Sequence, residues 1–246
     1  MQAGDRGHIL LGTFTTIERN EMPAGELKRR MDEATRDHRI LEHPFYKAWA
    51  AGTLTLEDLS FYSTQYWRQV EAFPGYLESV SSRLGDGSAK EIVAENLRDE
   101  VEGDHLGLWM DFAEGVGAPP ERVRATPARP ETMRCVQSFA NGMRAATVPF
   151  ALGMLYAYES QTPDVATTKV TGLRDHYSID GKALEYFTLH GELDVEHSDD
   201  LAKALDEIVI DEASVQEAEA GAKAGAEAVW DLLTGIAEER GIDCSN

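Results

Sequence analysis

The segment His190-Gly-Glu-Leu-Asp194-Val-Glu-His197 carries two imidazoles and a carboxylate at helical spacing. At about 100° per residue, His190, Asp194 and His197 fall within roughly 60° of one face. A helix presenting those groups inward is suited to holding a metal. The competing reading is a polar helix surface, and one HxxxDxxH pattern alone does not decide between them. Other segments add matching groups. Glu102 and His105 are three residues apart, about 60° around a helix, and Glu95 lies two turns before Glu102. Glu159 follows the apolar run Val148 to Tyr158. It is either a solvated helix end or a carboxylate too costly to bury without a partner. Together these give three histidines and three carboxylates on three helical segments. Such sets inside helical bundles are typical of di-iron and di-manganese proteins. Mixed oxygen and nitrogen ligation disfavours a structural zinc site.

Aromatic residues crowd the same segments: Tyr46, Tyr62, Tyr66, Trp109, Tyr158, Tyr186 and Phe187 among them. At helical spacing such residues are ordinarily core packing, and some of these line a cavity if a metal centre lies beside them. Lys169 is one of seven lysines, and on its own it reads as a solvated side chain.

Helices must position these groups. A polar helix is expected over Glu26 to Arg39, and a short one over Pro44 to Ala51, stopped by Gly52. Thr55 and Asp58 form a capping-box start for a helix running toward Leu84, with a kink at Pro74-Gly75. Further helices are expected over Ser88 to Glu114, Glu131 to Ser160 (with Pro149 inside), Pro163 to Tyr177, Lys182 to Ile210 and Ser214 to Arg240. Gly115 to Pro130 reads as a connector. With no convincing strand, the pattern argues for an all-α bundle forming a single domain over residues 24–240, after an N-terminal extension over 1–23.

Composition narrows the function. The 246 residues hold 44 Asp and Glu against 23 Lys and Arg, a formal net charge of -21. Such a surface repels phosphate backbones and anionic membranes, so neither nucleic acid nor a bilayer is an expected partner. No run of about 18 apolar residues is present, and Cys135 and Cys244 cannot make a disulfide framework. A cytoplasmic location is the default expectation.

The segments HPFYKAW (43–49), LTLEDLSFYSTQYW (54–67), ENLRDE (95–100), HLGLWMDFAEGVG (105–117), YAYESQTPDVATTKVTGL (156–173) and HGELDVEH (190–197) resemble a known family. It is the branch of the chlamydial protein associating with death domains (CADD), among the heme-oxygenase-like di-metal oxidases. The wider group includes the TenA and PqqC branches. The resemblance covers about residues 24 to 215. It implies a seven-helix heme-oxygenase-like bundle without heme, holding two iron ions or a manganese–iron pair. It further implies O2 as co-substrate, an external reductant and a homodimer.

By motif match, His105, Glu159, His190, Asp194 and His197 correspond to family ligands. For the sixth, the family's NLxDE motif nominates Glu100, whereas some relatives use the ExxH spacing that selects Glu102. On a regular helix Glu100 lies about 140° from His105, so Glu102 is the preferred candidate. A local bulge would restore Glu100. The resemblance also implies para-aminobenzoate synthesis for folate, with Tyr46 as sacrificial ring source and Lys169 as amine donor. Tyr62, Tyr158, Tyr186 and Trp109 match aromatics around the centre. An external amino acid, amine or fatty acid substrate, or a non-enzymatic metal-binding or regulatory role, are the alternatives. The thiaminase branch fits poorly, because its nucleophilic cysteine would fall where this chain has Pro149-Phe150.

Overall fold

The computed structural model describes residues 22, 23 and 25–244. Eleven α-helices are present among them and no strand. They are α1 (Glu26–Ala34), α2 (Pro44–Ala50), α3 (Leu56–Ser81), α4 (Ser88–Glu102), α5 (His105–Gly115), α6 (Pro120–Ala125), α7 (Pro130–Ala145), α8 (Val148–Glu159), α9 (Thr162–Tyr177), α10 (Glu185–Ile208) and α11 (Glu212–Arg240). The expected extension over 1–23 lies almost wholly outside the described residues.

Local chemistry accounts for the boundaries. Thr55 and Asp58 form the expected capping box at the start of α3, which continues through Pro74. Two expected long helices are each divided. At Thr147 the hydroxyl accepts from the Phe150 amide, and Pro149 sits in the first turn of α8. A proline lacks the N–H that a helix interior needs, so it starts a helix more readily than it continues one. At Gly103-Asp104 the second break separates α4 from α5. Asp104 takes a left-handed conformation (φ 50°), and its carboxylate accepts from the Gly107 amide. The expected connector over 115–130 contains α6, and the expected helix over 26–39 ends at Ala34 in two 3-10 turns.

Helix α11 packs against α7 and α8, and small residues set the separation. A Cβ on Gly153 would strike the Ala218 carbonyl, and one on Gly221 the Phe150 carbonyl. α8 is thereby pressed onto α11 backbone to backbone. Its last residue, Glu159, is 1% exposed, so the solvated-end reading of that carboxylate does not hold. Helices α4, α5, α8 and α10 converge around it, with α2, α3 and α9 closing the adjoining aromatic chamber.

Candidate metal centre

Glu100, His105 and His190 are buried and bring one donor atom each within 4.8 Å of one another. Glu100 Oε2 lies 3.0 Å from His105 Nδ1, and Oε1 lies 3.7 Å from His190 Nε2. Glu102, the preferred sequence candidate, is exposed, and so is Glu95. Of the two alternatives, Glu100 is the one that faces His105. The 140° separation assumed an unbroken helix, and the left-handed turn at Asp104 re-aims His105 toward Glu100.

A second set lies alongside. His197 Nδ1 is 3.5 Å from Asp194 Oδ1, and Asp194, Glu159 and His197 are all buried. Neighbouring side chains hold several of these groups. The Asn96 amide donates to Glu159 Oε1 at 2.8 Å. Asp99 Oδ2 faces His197 Nε2 at 3.2 Å. His190 Nδ1 lies 2.7 Å from the Tyr186 carbonyl, so it carries the proton and leaves Nε2 as the lone-pair nitrogen. Asn96 and Asp99 were not singled out in the sequence. Asn96 shares a helix face with Glu100 at i,i+4, which is a usable signal. The pairing of Asp99 with His197 spans two helices and leaves no sequence trace.

Charge is distributed unevenly across the six groups. Burial pushes Glu100 upward, but His105 and His190 outweigh it and hold its carboxyl at about 2. Burial opposes protonation of His197, yet Asp194, Glu159 and Asp99 raise it to about 9. Glu159 moves the other way: burial, reinforced by the Asp194 charge, raises it well above the carboxylate range.

These side chains fit a metal. Both ring nitrogens of His105, Glu159 Oε2 and His197 Nδ1 are buried without a hydrogen-bond partner. The 3.0 Å approach of His105 Nδ1 to Glu100 lacks hydrogen-bond alignment. Buried polar atoms are seldom left so. Orphaned nitrogen and carboxylate donors converging without a thiolate are the chemistry of iron and manganese sites.

A cavity of ≈ 20 Å³ lies among Glu100, Glu159, His190 and Asp194. A second, of ≈ 30 Å³, lies among Tyr46, Tyr66, Trp109 and Lys169. Tyr158, Thr162 and Tyr186 line both. In the second, Lys169 Nζ donates to Tyr62 Oη at 2.8 Å, and Tyr62 Oη lies 3.0 Å from Tyr46 Oη. The solvated reading of Lys169 therefore fails: the residue is 4% exposed. Burial lowers its ammonium to about 7, while the faces of Phe187, Tyr62, Tyr46 and Tyr66, at 4.7–5.3 Å, favour the charged form. Tyr66 donates to Tyr158 at 3.4 Å, Trp109 donates to the Ser63 carbonyl, and Tyr186 stacks on His190 at 4.1 Å. All six aromatic and lysine candidates thus border the two cavities, directly or, for Tyr62, through Lys169.

Residues 60–230 match the model of a family described as iron-containing redox enzymes. A 4-aminobenzoate synthase of Nitrosomonas europaea is 33% identical over 231 residues, 88% of this chain and 93% of that protein. A 4-aminobenzoate synthase of Chlamydia trachomatis is 33% identical over 184 residues, 74% of this chain and 79% of that protein. A domain with a heme oxygenase-like fold from Shewanella denitrificans superposes with a TM-score of 0.77 at 14% identity, covering 90% of this chain and 94% of that one. The fold is the expected all-helical, heme-oxygenase-like bundle.

Proposed function

The chain belongs to the family of iron-containing redox enzymes, and from that premise we propose that it is a 4-aminobenzoate synthase taking the ring from its own Tyr46 and the nitrogen from Lys169. The observation that carries this reading is the buried contact Lys169–Tyr62–Tyr46, with oxygen and nitrogen separations of 2.8 and 3.0 Å, beside a cluster of metal-donor side chains.

Glu100, His105 and His190 would hold one iron, and Glu159, Asp194 and His197 a second iron or a manganese, supplying the electrons that activate O2, with an external reductant to restore them. The chain does the rest. Tyr62 accepts from Lys169 and meets the Tyr46 hydroxyl, fixing amine and phenol in one geometry. With its ammonium lowered to about 7, Lys169 offers a lone pair near neutrality. Burial holds Tyr46 and Tyr62 well above the ordinary phenol range, so both stay protonated. The rings of Trp49, Tyr66 and Phe187 around the amine exclude water from the chamber.

Labelling tests the reading. Protein carrying ring-13C tyrosine and 15N lysine is loaded with iron without air and then given O2. The 4-aminobenzoate formed should carry both labels, and the protein should lose the Tyr46 side chain together with the ε-nitrogen of Lys169. Tyr46→Phe should bind iron as the wild type does and yield no product. Unlabelled product, or many turnovers on an added amino acid or amine, would select an external substrate instead.

A further inference from the structure

A third cavity, of ≈ 310 Å³, opens on the surface where the turn before α2 meets the start of α9. Val165 lines both this cavity and the inner chamber that holds Tyr46 and Lys169. Ile40 and Thr162 on the inner wall are chain neighbours of Arg39 and Gln161 on the outer one. At Val165 the partition is one side chain thick. One hydrogen bond ties it across, from the Ile40 amide to Gln161 Oε1 at 2.8 Å.

The charges on the outer cavity have a definite arrangement. Its carboxylates include Asp32, which accepts from Tyr156 at 2.6 Å, and Glu42, which pairs with Lys47 at 3.0 Å. Asp164 and the guanidinium of Arg39 have no such partner among the described residues. The first turn of α9, with its positive dipole end, lies on the same wall. Tyr156 is neutral, so Asp32 keeps its charge, and Arg39 is the one cation among the lining residues; it is the group that can take a carboxylate, with Asp164 left to accept from an N–H donor.

We propose that this cavity is a binding vestibule for the product, taking an aromatic carboxylate with its acid group on Arg39 and its amine on Asp164. The proposal deepens the reading above and rests on it: 4-aminobenzoate has that polarity, and Val165 lines both the outer cavity and the inner chamber where the product would form.

Calorimetric titration of the wild type, Arg39→Gln and Arg39→Lys with 4-aminobenzoate, benzoate and aniline tests it. Arg39 and Asp164 are exposed, so their replacement leaves the fold intact. The expected result is saturable binding of 4-aminobenzoate to the wild type, weakened roughly tenfold or more in Arg39→Gln, as for one lost charge-assisted hydrogen bond. Arg39→Lys should recover part of it. Asp164→Asn should weaken 4-aminobenzoate and leave benzoate unaffected, and aniline should bind weakly throughout. No saturable binding, or equal affinity in Arg39→Gln, would overturn the vestibule. Product formation by the iron-loaded wild type is measured alongside. A protein that makes 4-aminobenzoate without binding it through Arg39 overturns the vestibule alone, and one that makes none overturns both readings.

Discussion

Glu100 Oε2 sits 3.0 Å from His105 Nδ1, although the two residues are five apart and would point about 140° away from each other on a regular helix. The break at Gly103-Asp104 closes that angle. Glu100→Ala should therefore weaken iron binding by about a hundredfold or more, beyond the range for outer-shell groups. Glu102→Gln should leave it unchanged, because that side chain is exposed. Iron titration of the two variants, followed by metal analysis after dialysis, separates them. Equal losses would restore Glu102 as the ligand.

The break itself makes a second prediction. A Cβ at Gly103 would fall 2.5 Å from His105 Nε2 and 2.7 Å from the Asp99 carbonyl. One contact displaces a candidate ligand and the other is backbone that cannot yield. Gly103→Ala should lower iron affinity roughly 10–100-fold, as outer-shell changes do, with helix content by circular dichroism unchanged. Wild-type affinity in this variant would mean that His105 does not bind the metal.

Much of this centre was legible in the sequence, and the illegible part has a physical origin. His190, Asp194 and His197 share one unbroken helix, so their common face follows from periodicity alone. Glu159 was readable because a carboxylate ending an apolar run carries a desolvation cost that needs a reason. Glu100 ranks behind Glu102 on periodicity alone, because its place beside His105 depends on a non-glycine residue in a left-handed conformation, which no periodicity encodes. Pro149 acts in the other direction: helical periodicity runs across it from Glu131 to Ser160, yet it lies in the first turn of a new helix. The contact of Lys169 with Tyr62 joins helices 107 positions apart in the chain and could enter only through family resemblance.

Lys169 should cost the fold stability that its chemistry requires. Its ammonium is held at about 7 by burial, against an ordinary 10.5. The unfolded chain keeps the proton between those values and the folded chain does not, so stability rises with pH across that interval. The penalty is full below pH 7 and fades toward 10.5. Lys169→Met should stabilise the protein by about 2–4 kcal/mol at pH 7, after allowing for the lost bond to Tyr62. That corresponds to roughly 4–16 °C in Tm. The gain should shrink on going to pH 10, and 4-aminobenzoate should not form. Thermal unfolding at pH 6, 7.5 and 9 reads both the size and the sign. A variant less stable than the wild type at every pH would show that the amine is a net contributor to the chamber's packing.

On the proposed reading the same amine sets the pH dependence of the reaction. Below about 7, Lys169 is an ammonium without a lone pair; above it, the amine is free. Tyr46 and Tyr62 stay protonated throughout, because burial raises both well above the ordinary phenol range. Only one of the three groups in the contact therefore changes charge between pH 6 and 9. If loss of that proton precedes the slow step, the single-turnover rate climbs about tenfold per pH unit below 7 and levels above it. Rapid-quench measurement of product, with iron loaded at one fixed pH before a jump, isolates this limb from metal uptake. Lys169→Arg, charged at every accessible pH, should form no product across the whole range. A wild-type rate that is flat from pH 6 to 8, with product still labelled from lysine nitrogen, would move the proton loss to after the slow step.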